Sequence, residues 1–151
     1  MNKENLMKIE RILYPTDFSK RSENAREHAI YLAKSLNCSL HLLHAIEPLD
    51  YDEIDEETLE FYKELEDKLE KKMEIEEEIF EASGITIQNE IIIGPRWKVI
   101  NNYAVEHDID LIIMGSHGIR SESGELSVGT TSHKVMFSSP CPVLIVRHEG
   151  D

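Results

Sequence analysis

Cysteine is nearly absent: Cys38 and Cys141 stand alone, each at the start of an apolar run. Neither has the spacing of a metal-ligand pair, and two buried thiols in a reducing cytosol are expected. No run of 18 apolar residues exists, so nothing in the sequence spans a membrane. The opening stretch MNKENLMKIER lacks the apolar centre of a signal peptide, and a cytoplasmic location is the expectation. Positive charge is scarce, with 16 Lys and Arg against 30 Asp and Glu and a net charge of −14, which disfavours nucleic acid and anionic membrane surfaces as partners. Glycine (seven) and proline (five) are also few, and 40% of residues are hydrophobic, so the chain reads as globular rather than disordered. A length of 151 residues suits one domain, 1–151, with a substantial core.

The acidity is concentrated. Residues 50–81 carry sixteen acids and four lysines, a net of −12 that is most of the chain's −14. The remainder of the chain is nearly neutral. This stretch reads as a long helix, Asp52 to Ala82, with an apolar stripe of Leu59, Tyr62, Leu65, Leu69, Met73 and Phe80, ended by Ser83-Gly84. Glu64 with Lys68 and Asp67 with Lys71 are expected to pair at four-residue spacing.

Around it the chain alternates strand and helix. Ile9–Tyr14 reads as a first strand ended by Pro15 and followed by Asp17, with Ser19 or Ser22 placed to cap a helix carrying Ala25, Ala29, Leu32, Ala33 and Leu36. Cys38–Ala45 (CSLHLLHA) is a second strand, whose His41 and His44 face opposite sides and cannot share one metal. Each reads as half-buried packing. Ile85–Ile93 is a third strand. Gly94-Pro95 then enters a helix, with Pro95 in its first turn and Trp97, Ile100, Tyr103 and Ala104 on its apolar face. Five strands connected by helices predict an α/β fold with a parallel sheet covered on both faces.

Asp110 to Arg147 carries the chemistry. Leu111–Met114 is a short apolar run without alternation, the pattern of a doubly covered parallel strand. It stops at Gly115-Ser116-His117-Gly118, and Gly129 later opens Thr130-Thr131-Ser132 at a helix start. Free backbone N–H groups, hydroxyls and the positive end of a helix dipole are what a phosphate site requires. The same glycines serve a tight turn, and Gly129-Thr130 serves a helix cap without any ligand, so from the residues alone both readings stand. No G-x-x-x-x-G-K-[ST] occurs, which excludes a P-loop. Asp17 likewise has two readings, a turn residue holding backbone N–H groups or a carboxylate that accepts from a ribose or adenine.

Tyr14-Pro15-Thr16-Asp17-Phe18-Ser19, Met114-Gly115-Ser116-His117-Gly118, Gly129-Thr130 and Pro140-Cys141-Pro142 with Val143–Val146, in that order over essentially the whole chain, resemble the universal stress protein family. The glycines resemble the G-x2-G-x9-G-[ST] signature of its ATP-binding branch, except that ten residues rather than nine separate Gly118 from Gly129. The resemblance implies a doubly wound, Rossmann-like sheet of five parallel strands in the order 3-2-1-4-5. That order brings Asp17 and Gly115 to one crevice at the switch point. It implies adenine-nucleotide binding. Pro15, Thr16, Asp17 and Ala45 would line adenine and ribose, and Met114 and Gly115 would sit beside the ribose. Ser116, His117, Gly118, Gly129, Thr130 and Thr131 would hold phosphates, with Mg²⁺ bridging phosphate oxygens. It further implies a nucleotide-responsive regulator of stress response and a homodimer paired through Val143–Val146. Two alternatives stay open. One is a slow or partner-dependent ATP hydrolase or phosphotransferase, with His117 or His133 as base and Arg120 as the one candidate cation. The other is a dimeric binding module whose site is closed by the 119–128 segment. No protein client is legible.

Overall fold

The computed structural model describes residues 6–48, 55–116, 119–120, 126–127 and 130–147, with the backbone alone at 119, 120, 126, 127 and 130. Strand β1 (Arg11–Pro15) shows the layering in miniature. Ile12 and Tyr14 enter one apolar cluster and Leu13 enters another, because successive side chains of a strand face opposite sides. The first cluster lies under α1 (Arg21–Leu36) and α2 (Glu56–Ala82), which contribute Ala25, Ala29, Ala33, Met73 and Phe80. The second lies under α3 (Arg96–Glu106) and α4 (Thr130–Ser138), which contribute Val99, Ile100, Tyr103, Ala104 and Val135.

Between the two helical layers runs a five-stranded sheet of β1, β2 (Ser39–Ile46), β3 (Ile87–Ile93), β4 (Leu111–Gly115) and, after a short pair described below, β7 (Val143–Val146). Its order is β3-β2-β1-β4-β7 with every pairing parallel, which is the 3-2-1-4-5 doubly wound arrangement expected. Pro142 stands just before the edge strand β7, where its carbonyl accepts from Ile112 N at 3.0 Å and its missing N–H costs no ladder bond. The segment expected to be only a polar loop contains a small antiparallel ladder. Here β5 (Ile119–Arg120) pairs with β6 (Leu126–Ser127) through Ile119↔Ser127 and Arg120↔Leu126, so part of its backbone is satisfied internally.

Several expectations need correction. Neither Ser19 nor Ser22 caps α1: Lys20 stands at the cap without a side-chain bond, and the Ser22 hydroxyl donates instead to Asp17 Oδ1 at 2.7 Å. Helix α2 begins at Glu56 rather than Asp52, because Asp55 accepts from Thr58 N at 2.8 Å and fixes the start there. Pro95 precedes α3 as its cap and is not inside the first turn. The pairs Glu64–Lys68 and Asp67–Lys71 do not form, since exposed ion pairs in water barely repay the ordering of two long side chains. The ion pair α2 makes among the described residues is across the layer, Glu76 Oε1 with Arg26 Nη1 of α1 at 2.7 Å. Gly84 does end α2 with φ +80°, as expected. Cys38 is buried but Cys141 only half so, and both are free thiols whose pKa burial pushes up.

Candidate functional site

The cleft is a consequence of ladder lengths. Strand β1 pairs with β2 through five residues, Arg11 to Pro15, but with β4 only at Ile12↔Leu111 and Leu13↔Ile112. Beyond those two pairs β1 stays with β2 while Met114 and Gly115 stay with β7, so the strands part at their carboxyl ends. The opening encloses about 520 Å³, partly open to solvent. This is where open α/β sheets take their ligands.

Seven of the residues singled out from sequence line it: Pro15, Thr16, Asp17, Ala45, Met114, Gly115 and Thr131. Ser116 follows β4 and donates its N–H to Val146 O at 2.9 Å; it is not part of the lining. Thr130 is the first residue of α4. His117, Gly118 and Gly129, with 121–125 and 128 of the longer segment, lie outside the described residues. His133 is exposed on α4 against the Phe137 ring, centroids 4.7 Å apart, and is absent from the lining, which counts against it as a base there.

The turn after β1 is bonded throughout. Thr16 N donates to Leu43 O at 2.9 Å, and Thr16 Oγ1 accepts from Phe18 N at 3.0 Å. Asp17 Oδ1 accepts from Ser19 N at 2.9 Å as well as from the Ser22 hydroxyl. The carboxylate thus fills the turn role, and Asp17 also lines the cleft. Phe18 holds φ +64°, unusual for a bulky residue, with its ring 4.6 Å from that of His44. Strain of this kind clusters at ligand sites.

His44, expected to be half-buried packing, is buried and lines the cleft. Its Nδ1 donates to Thr16 O at 2.7 Å, which places the proton on that nitrogen, since a carbonyl only accepts. Burial lowers its pKa, and the bond to Thr16 offsets this in part, so the ring is neutral at neutral pH. His41, on the opposite face, is buried too, with Nδ1 2.7 Å from the Tyr103 hydroxyl and a pKa lowered first by burial and then by His107.

Gly115 has a reason the sequence did not show. A Cβ there would stand 3.1 Å from the carbonyl oxygen of Arg21 and 3.8 Å from Ser22 Cα, so glycine is what lets β4 lie against the first turn of α1. Sequence reading also missed the cations. Arg21 from α1 and Arg96 from α3 both reach the lining, and Arg96 Nε lies 3.9 Å from Glu47 Oε2. Each opens a helix directly after a strand, and that placement was the available signal. With Leu43, Ile100 and Met114 as apolar wall, the cleft offers a greasy slot lined also by two arginines, which suits a planar base carrying an anion. No group of three His, Cys, Asp or Glu among the described residues is placed to hold a metal. No helix among them is long and apolar enough to cross a membrane.

Known proteins share this design. A model of the universal stress protein family matches residues 8–147. A universal stress protein of Methanocaldococcus jannaschii is 32% identical over 157 aligned positions, covering 93% of this chain and 96% of that one. The solved structure of that protein superposes with a TM-score of 0.85 at 30% identity, covering 96% of this chain and all of the other. A universal stress protein from Lactobacillus plantarum gives 0.79 at 26% identity over 94% of this chain and all of its own. Another universal stress protein, solved in complex with cAMP, gives 0.65 at 23% identity over 93% of this chain and 98% of its own, a likeness of fold.

Proposed function

The chain belongs to the universal stress protein family, and from that premise we propose that it binds an adenine nucleotide, ATP foremost, and acts as a nucleotide-responsive regulator. The observation that carries this reading is the convergence of residues about 100 positions apart, Pro15–Asp17 and Met114–Gly115, on one cleft that also holds Ala45, Thr131, Arg21 and Arg96. Adenine and ribose lie against Pro15, Thr16, Asp17 and Ala45, next to Met114. The phosphates run toward Thr131 at the start of α4, where the helix dipole favours negative charge, in a cleft that Arg21 and Arg96 also line. Ser116, His117, Gly118, Gly129 and Thr130 complete the phosphate side in this reading. Mg²⁺, when present, takes its ligands from phosphate and water. A relative solved with cAMP supports an adenine nucleotide without choosing ATP over a monophosphate. The protein works as one cytoplasmic domain, 1–151, paired into a homodimer through β7.

A slow hydrolase is the second reading, favoured by one observation: Arg21 and Arg96 supply the pair of cations that phosphoryl transfer uses. Protein purified without added nucleotide, extracted and analysed by mass spectrometry, separates these. Retained ATP supports the regulator and retained ADP supports turnover. An empty site that takes up neither ATP nor AMP in calorimetry sinks both.

A further inference from the structure

A second concavity lies away from the nucleotide cleft, between α3 and the end of α4. It encloses about 790 Å³, open to solvent, with Trp97, Asn101 and Val105 along one wall and Ser138 and Pro140 on the other. Trp97, Asn101 and Val105 recur at four-residue spacing, so they share one face of α3. Asn101 is 8% exposed, and neither its amide nitrogen nor its carbonyl oxygen has a hydrogen-bond partner. An orphaned carboxamide at such depth is unfavourable in the isolated chain, and native proteins rarely keep one without a use. Around it the surface is apolar where water should be met. Val105 is 61% exposed, and Phe137, next to Ser138 in sequence, is 76% exposed.

Charge narrows the occupant. Lys98 and Lys134 hold their ammonium groups over the Trp97 ring, at 5.7 and 5.9 Å from its centroid. In a chain of net charge −14 this is a locally cationic rim. It calls for an anion. The cations already stand over the indole, so a nucleobase has little claim to stack there, and a nucleotide would leave Val105 and Phe137 bare. We propose that this groove docks an acidic peptide segment of a partner protein. Lys98 and Lys134 meet its carboxylates, an apolar side chain covers Val105 and Pro140, and the Asn101 carboxamide, whose polar atoms are closed to solvent in the empty groove, is uncovered as the segment docks and pairs with its main-chain N–H and C=O. The carboxamide carries an acceptor and a donor side by side, which is the complement of a peptide unit.

Trp97 is the sole tryptophan in the sequence, so its emission reports on the groove directly. A random linear peptide library displayed on phage, panned on the full chain, is expected to enrich sequences combining acids with an apolar residue. Synthetic versions should shift Trp97 emission, bind Asn101→Leu about tenfold more weakly, and lose affinity on Lys98→Glu, a change at an exposed position. Relief of the orphaned amide should raise the Tm of peptide-free Asn101→Leu, by about 2–4 °C. Four results would overturn the proposal: no enrichment, ligands indifferent to Asn101→Leu, a lower Tm in that variant, or Trp97 emission that answers to adenine nucleotide or to protein concentration instead of peptide.

Discussion

At Gly115 the backbone of β4 comes so near Arg21 that one added methyl would meet a carbonyl oxygen at 3.1 Å. Neither strand nor helix can shift without disturbing the cleft they frame. Gly115→Ala is therefore expected to cost about 1–3 kcal/mol, as overpacking does, and to weaken nucleotide binding as well; urea denaturation and calorimetry on the same sample check both. The buried histidines make a second prediction. His41 and His44 have folded pKa values lowered below the ordinary 6.5, so in acid the unfolded chain binds protons that the folded one refuses. Their stabilising effect is complete above about pH 6.5 and is lost as pH falls from there toward the folded values. Denaturation midpoints measured from pH 7.5 down should fall more steeply for the wild type than for His41→Gln or His44→Gln. Equal slopes would mean that these rings titrate normally. The Asp17 carboxylate resisted a single reading in the sequence because turn and ligand roles ask for the same residue. Gly115 was legible as a needed glycine but not for its cause, which depends on a helix that lies 94 positions earlier in the chain.

Among elements, α1 and α2 share an apolar cluster and are tied together by one largely buried ion pair. Arg26 meets Glu76 through Oε1, while Glu76 Oε2 has no partner and burial raises the carboxyl pKa. Removing the cation leaves a carboxylate in a poor environment, so Arg26→Leu should destabilise by about 2–3 kcal/mol at pH 7. The sign with pH follows from the raised folded pKa: the neutral acid suits the folded state, so part of that loss should return as pH falls toward the ordinary 4.5. Chemical denaturation of the variant at pH 7 and pH 5 tests it; a loss independent of pH would point to packing alone. This pair was not legible in the sequence, where Glu76 is one acid among sixteen and its partner is 50 residues away. Elements themselves were legible where hydrophobic periodicity was strong. Leu111–Met114 and the α2 positions Tyr62, Met73 and Phe80 needed no tertiary knowledge, whereas Leu59, read into the same stripe, is exposed. Their ends were not, because a boundary turns on a single bond. Asp55, not Asp52, caps α2, and Asp17 draws the Ser22 hydroxyl away from capping duty. The short β5–β6 ladder escaped because two-residue strands carry no periodic signal.

For the whole molecule, the sheet ends on one side in a strand of four apolar residues, of which Val143, Leu144 and Ile145 are only half-buried. Such an edge invites pairing, and a twofold mate is the proposed cover. Light scattering at micromolar concentration should find a dimer, and Ile145→Lys should shift it to monomer; a wild type already monomeric would end that idea. The other side of the same design concerns motion. The sheet consists of two leaves, β3-β2-β1 and β4-β7, joined by two residue pairs and by Asp110, whose N–H donates to Arg11 O at 2.9 Å and whose carboxylate accepts from Glu10 N at 2.8 Å and Arg11 N at 3.0 Å. All of that joint lies at the amino ends of the strands, and the cleft lies at the carboxyl ends. Mechanically it is a book with a short spine, open at the fore-edge, and the proposed nucleotide, lying across both leaves, would be its clasp. Hydrogen exchange through residues 14–17 and 113–116 should therefore slow together when ATP is added, while β3, remote from the opening, keeps its rate. If only one leaf responds, the ligand touches a page without closing the book. If both do, the amount of nucleotide in the cell sets how firmly the two leaves are held together.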